Sequence, residues 1–330
     1  MNFNFFYFFA FLLISFIFFQ IYLRFSLEKK INDKNDFNVG HGNPPTGSGI
    51  IFLIIFYLGS IVYFFFDLNF VEQLPNRFYV FYFAIFIFGL VSFYDDIKPL
   101  DPILRLVIQF ILIFISTVCI DFTKVELPLK LAMMISIFLW IYFINITNFI
   151  DGLDGFLATH CIFIIGNIFL IKFYLDINLF SYYLSIILLP AICSFLYFNK
   201  PIAKIYMGDS GSIVLGYVFG FIFLELLVRE FYLLAVSIFI YPLTDCTITL
   251  IKKVLKGHYP WARLFDYFFL APVLLGKKKH SVVLSISIFF SILNSILIFM
   301  QLSVSKYFFI LNIIIASLQL FTYRNLSHKV

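Results

Sequence analysis

Charge is what this 330-residue chain has least of. Asp, Glu, Lys and Arg make up 12% of it, about half the share usual in a soluble domain. With 62% hydrophobic residues and a mean hydropathy of +1.02, an ordinary soluble domain is excluded. Cysteine is scarce too. Cys119, Cys161, Cys193 and Cys246 each lie inside an apolar run, with no close pair and no His at zinc spacing. Neither a disulfide framework nor a zinc site is expected. The net charge of +5 comes from Lys and Arg in short segments between apolar runs. That is the pattern of topogenic charge, and no nucleic-acid partner is expected. Residues 1–23 lack a basic leader and a small-residue cleavage site, so they read as a retained first helix of spanning length. Neither repeats nor linkers divide the chain, and 1–330 reads as a single domain.

What is present in quantity is apolar sequence, with Phe alone supplying 50 residues. Eleven candidate spans run over 3–23, 49–66, 78–93, 106–120, 131–149, 157–174, 181–197, 213–228, 231–251, 282–301 and 305–321. An all-α polytopic membrane protein is expected, because backbone polar groups in lipid must be satisfied within the segment. With residue 1 outside, most Lys and Arg fall on the inner side, among them Lys29, Lys30, Lys200, Lys252, Lys253 and Lys277–Lys279. The N-terminus is therefore expected outside and the C-terminus in the cytoplasm.

Carboxylates are costly near hydrocarbon. Yet this map sends Asp95, Asp96, Asp101, Asp151, Asp154, Asp209, Asp245 and Asp266 to one side of the membrane. Asp95-Asp96, at the end of the third span, can hold a divalent cation or take a proton. Arg105 and Gln109 follow one and two turns later and can meet an anion. In Asn148-Phe149-Ile150-Asp151-Gly152-Leu153-Asp154-Gly155, three polar side chains recur at a spacing of three, and the glycines suggest a break that exposes backbone N–H groups. Met207-Gly208-Asp209-Ser210-Gly211-Ser212 opens a span, where Mg²⁺, phosphate and the helix dipole are all compatible with one Asp. A helix cap by Asp209 or Ser210 is the plain alternative. Asp245, inside a span, reads as a structural partner for a lysine or as part of the site. Glu225 and Arg229 are one turn apart and read as a pair. His160 reads as a packing residue, and His258 and His280 as surface histidines.

Together with Asn199 and the Pro45-Thr46-Gly47-Ser48-Gly49 stretch, these three acidic motifs resemble the polyprenyl-phosphate N-acetylhexosamine-1-phosphate transferases (glycosyltransferase family 4), from residue 45 to Lys253. The resemblance implies a multi-pass enzyme of the bacterial inner membrane whose site faces the cytoplasm. It implies an Mg²⁺-dependent reaction, with Mn²⁺ as the substitute ion, between a UDP-N-acetylhexosamine and undecaprenyl phosphate. Asp209 would bind the metal. Asp95 would deprotonate or position the lipid phosphate beside Asp96, and Asp151 and Asp154 would complete the catalytic set. Asn148, Asn199, Lys204, Arg105 and Arg263 would bind substrate. The partners are then the polyprenyl phosphate, the UDP-sugar, the bilayer and a second copy in a homodimer. One departure stands out: Trp261 is followed by Ala262-Arg263-Leu264-Phe265-Asp266, without the histidine motif frequent there in the family. The Pro45–Gly49 stretch leans towards the O-antigen-type branch. The rival readings are a membrane prenyltransferase acting on a prenyl diphosphate and a cation-coupled transporter. The first wants an Asp where Phe149 stands, and the second wants carboxylates near mid-bilayer.

Overall fold

A computed structural model describes residues 2–29, 44–72, 74, 75, 77–259 and 266–328. Among these the α-helices are α1 (Asn2–Lys29), α2 (Ile50–Phe66), α3 (Leu68–Glu72), α4 (Phe78–Ile97), α5 (Pro102–Ser116), α6 (Leu129–Phe149), α7 (Phe156–Leu175), α8 (Phe180–Asn199), α9 (Asp209–Val228), α10 (Tyr232–Ile238), α11 (Ile240–Leu255), α12 (Ala271–Leu274), α13 (His280–Ser303) and α14 (Phe308–His328). No strand occurs among the described residues. Among the described residues nine helices are long and apolar enough to cross a membrane, α10 and α11 together make a tenth span bent by 75°, and α2 is a shorter apolar helix of 17 residues. The expected all-α polytopic architecture is what the chain builds.

Local chemistry sets the helix limits. Asp101 accepts from Ile103 N (2.8 Å) and Leu104 N (3.3 Å), and Pro102 follows it, so α5 starts four residues before the expected limit. At the start of α8, Glu225 accepts from Phe180 N (3.0 Å) and Ser181 N (2.8 Å) and also pairs with Arg229 at 3.4 Å, as the one-turn spacing suggested. The span expected over 231–251 is broken at Phe239. Polar side chains satisfy the break: Asn294 Nδ2 donates to the Ser237 carbonyl (3.0 Å), and Ser237 Oγ donates to Gln301 Oε1 (2.9 Å).

At the centre stands α9, 89% buried along its span. Two glycines one turn apart let α6 approach it. A Cβ on Gly216 would lie 2.7 Å from Ile144 Cα, and one on Gly220 would lie 2.3 Å from the Trp140 ring. Trp140 Nε1 then donates to the Tyr217 carbonyl at 2.7 Å. On another side of α9, Phe81 and Phe88 of α4 pack on Tyr217, ring centres 5.0 and 5.2 Å away. By contrast α1, α13 and α14 leave most of their spans uncovered, as lipid-facing helices do. His160 is buried in this packing, with Nε2 3.0 Å from Ser287 Oγ, as expected of a packing histidine.

Candidate active site

The N-terminal end of α9 meets the C-terminal ends of α4 and α6 and the first turn of α5. Asp96 does the joining. Its Oδ1 accepts from Asp209 N (2.7 Å) and its Oδ2 from Ser210 N (3.0 Å), so a carboxylate of α4 caps the dipole of α9. Gly208 has φ +75°, and a Cβ there would lie 2.6 Å from Asp96 Oδ2; only glycine fits this turn. The residue between cap and helix is Asp209, whose side chain is thereby turned to Arg105.

Arg105 Nη1 lies 2.8 Å from Asp209 Oδ2 and 2.9 Å from Asp95 Oδ2. The other oxygen of Asp95 accepts from Leu100 N, which fixes the carboxylate as the chain turns from α4 to α5. Beside them, in the turn after α6, stands half-buried Asp151. Burial, and then the negative charges of Asp209, Asp96 and Asp154, push its carboxyl well above the ordinary range. Asn148, one turn earlier, accepts from Ser212 Oγ of α9 at 3.4 Å. The three sequence motifs thus converge on one end of α9.

The remaining expected residues surround this centre rather than fill it. Asp154 is buried, and its Oδ2 accepts from Ala203 N (3.2 Å) and lies 3.3 Å from His280 Nδ1. Buried Asn199 accepts from Gly155 N (2.8 Å) and donates to the Ile205 carbonyl (2.9 Å). Both therefore lock the 150–155 turn to the segment after α8. Lys204 is exposed and lies 5.8 Å from the Tyr197 ring. Gln109 accepts from Asn145 Nδ2 at 3.0 Å. Arg263, like Trp261, lies outside the described residues. Of the eight aspartates, three serve elsewhere. Asp101 caps α5, and Asp266 meets Lys256 at 3.5 Å. Asp245 is fully buried and accepts from Tyr241 Oη (2.7 Å), Phe268 N (3.1 Å), Phe269 N (3.3 Å) and Thr249 Oγ1 (3.3 Å). Its hydrogen bonds come from neutral donors, not from the lysine expected, and they hold the segment that lays Phe269 on Phe156, ring centres 4.3 Å apart.

Two residues differ from the sequence reading. His280, expected on the surface, has its side chain 11% exposed against Asp154, because α13 begins where the 150–155 turn ends its path. Tyr22 of α1 was not singled out. Its hydroxyl donates to the Thr46 carbonyl, and Asp96 lies close enough to act on it. It steadies the Pro45–Gly49 stretch, which runs beside residues 206–207: Tyr206 N donates to the Pro45 carbonyl (2.8 Å) and Gly49 N to the Met207 carbonyl (2.9 Å). A lone Tyr in a Phe-rich run carries no sequence signal for this.

Among the described residues, Asp95, Asp96, Asp151 and Asp209 share this corner with one arginine, Arg105. The excess of hard oxygen donors suits a divalent cation and phosphate oxygens. Among the described residues, no three His, Cys, Asp or Glu side chains are gathered around one point as a ready metal cage. The donor set is two carboxylates converging on one position, which is how Mg²⁺ is held when phosphate and water complete the shell.

Residues 78–227, which carry all three motifs, match the model of the family described as "Glycosyl transferase family 4". A phospho-N-acetylmuramoyl-pentapeptide-transferase of Petrotoga mobilis is 31% identical over 227 residues, 62% of this chain and 67% of that protein. The chain belongs to glycosyl transferase family 4. Proteins of the same name from Staphylococcus haemolyticus (34% over 200 residues) and Staphylococcus carnosus (31% over 195) cover 53% and 52% of this chain. The chain spans about three fifths of the length of these staphylococcal family 4 relatives, 60% and 59%. All three relatives carry the muramoyl-pentapeptide name, and the leaning towards an O-antigen-type branch rests on the Pro45–Gly49 stretch and the lack of a longer basic insert.

Proposed function

We propose that this family 4 protein transfers N-acetylhexosamine 1-phosphate from a UDP-sugar to polyprenyl phosphate, giving a polyprenyl-diphospho-sugar and UMP at the cytoplasmic face of a bacterial inner membrane. The observation that carries the reading is the meeting of Asp95, Arg105 and Asp209 at 2.8–2.9 Å, with Asp96 and Asp151 alongside. In the reaction, an oxygen of the lipid phosphate attacks the phosphorus bonded to the sugar, and the bond from that phosphorus to UMP breaks. Such a transfer asks mainly for positioning and charge neutralisation. A divalent cation, when bound by Asp209 and Asp95, supplies positive charge for the diphosphate. The protein's own parts do the rest. Arg105 offers a planar fork to phosphate oxygens. Asp95 orients the attacking phosphate or accepts its proton. Asp151, whose carboxyl is raised by burial and by its acidic neighbours, is placed to exchange a proton in the same corner. Asn148, Asn199 and Lys204 form the surroundings of the nucleotide and sugar.

These carboxylates gather at helix ends, not mid-span, which favours group transfer over cation-coupled transport. The test is UMP release by purified protein given UDP-GlcNAc, undecaprenyl phosphate and Mg²⁺. Turnover is expected, and Asp209→Asn is expected to lose it by about 100-fold or more while remaining folded. A folded wild-type protein inert towards every UDP-N-acetylhexosamine, or an Asn variant as fast as wild type, would overturn the reading or the role of Asp209 respectively.

A further inference from the structure

Arg105 holds two carboxylates through one nitrogen. Both Asp95 Oδ2 and Asp209 Oδ2 point at Nη1, 2.9 and 2.8 Å away. Three other carboxylate oxygens of the corner are already taken. Asp95 Oδ1 is committed to Leu100 N, and both oxygens of Asp96 are committed to the first amides of α9. A cation bridging Asp95 and Asp209 would need oxygens at about 2.0–2.1 Å, and a guanidinium nitrogen cannot share that point.

We propose that Arg105 and the divalent cation compete for the same pair of carboxylate oxygens, and that the displaced guanidinium turns to the substrate phosphates. The inference rests on the metal-assisted reading above and assigns Arg105 a second task within it. Three features support the exchange. Arg105 sits in the first turn of α5, one turn past the Asp101 cap. Its side chain is 24% exposed, so the head group has somewhere to go. Its charge is permanent and its fork fits phosphate bidentately, so part of the corner's negative charge is offset before the cation arrives and the guanidinium is useful afterwards. The competition makes a pairing of effects that simple phosphate binding does not. Removing the guanidinium should tighten the cation and slow the reaction at once.

The experiment is a Mn²⁺ titration of purified protein in detergent, with free Mn²⁺ read by electron paramagnetic resonance. Arg105→Gln is expected to bind Mn²⁺ about 10-fold tighter than wild type, the equivalent of one charge-assisted hydrogen bond no longer displaced. UMP release at saturating Mg²⁺ is expected to fall by about 10-fold or more. Lys98→Gln removes an exposed cation just past α4; it should change Mn²⁺ affinity by no more than about twofold, which separates displacement from general electrostatics. If the Gln variant does not fold, Arg105→Lys is measured instead, since an ammonium on a shorter stem should leave the two oxygens more open to Mn²⁺. Affinity equal to or below wild type in the folded variant, or an equal gain in Lys98→Gln, overturns the proposal. So does the absence of Mn²⁺ binding in wild type and variant alike, and that result also removes the metal from the functional reading. Tighter Mn²⁺ in the variant, with no UMP from any protein, would sustain the competition and sink the substrate assignment.

Discussion

Asp96 looks like half of an acidic pair, yet both its oxygens are spent on main-chain amides of α9. A carboxamide keeps one of the two acceptors and turns an NH2 group towards the other amide, whereas a methyl group keeps neither. Asp96→Asn should therefore lose part of the stability that Asp96→Ala loses, about 1 kcal/mol for the latter; an Asn variant as stable as wild type in detergent unfolding would show that the second acceptor contributes nothing. Asp151 behaves in the opposite way. Its carboxyl is raised in the folded protein, so the native state binds a proton that the unfolded chain has released. Stability then falls as pH rises from the ordinary Asp range towards the raised value, and the loss persists above it. Asp151→Asn should flatten that part of a melting-temperature profile and melt higher at neutral pH, at the cost of turnover; a variant that melts lower throughout would contradict this. The acidic motifs were legible because each carboxylate interrupts apolar sequence. The partners of Asp154 and Asp245 were not. His280 lies 126 residues from Asp154, and Phe268 and Phe269 give Asp245 only their backbone, which no side-chain pattern reveals.

At the scale of elements, the site depends on how closely α2 and α9 begin. A Cβ on Gly49 would lie 2.0 Å from Gly211 N, with main-chain atoms on both sides and nothing flexible to yield. Gly49→Ala is expected to abolish turnover and lower stability by several kcal/mol, in the range of core overpacking and above. Gly166 is the counterpart: a Cβ there meets nothing within 4 Å. Gly166→Ala in α7 should stabilise by about 0.5–1 kcal/mol, as expected for a helix interior. Thermal unfolding of both variants separates the two cases, and a harmless Gly49→Ala would mean that the contact is looser than described. Periodicity in the sequence located the helices well, since long apolar runs have few other options in lipid. It did not locate the break at Phe239. The groups that satisfy the break, Ser237, Asn294 and Gln301, sit in two separate apolar runs, and a single polar residue in such a run reads as noise.

Over the whole molecule, Asp209 opens α9 and Arg229 closes it, which puts the candidate site at one membrane face and the Glu225–Arg229 pair near the other. The distribution of Lys and Arg is the ground for expecting the site end in the cytoplasm. Cysteines introduced at Lys204 and Lys277 should react with an impermeant thiol reagent only from the cytoplasmic side, and cysteines at Asp121 and Lys306 only from the outer side. Labelling of all four from one side would refute the span map. The native Cys119, Cys161 and Cys246 are buried and should stay silent. The long apolar helices could be read from hydropathy, because the bilayer imposes their length. The three-dimensional order of the helices could not, because it follows from small residues such as Gly216 and Gly220 whose partners lie elsewhere in the chain. Helix α9 touches protein on nearly every side. Changes in acyl-chain length or fluidity must reach the Asp209 end second-hand, through the outer helices, so the chemistry proposed for a membrane lipid is anchored to the part of the molecule that the membrane itself scarcely touches.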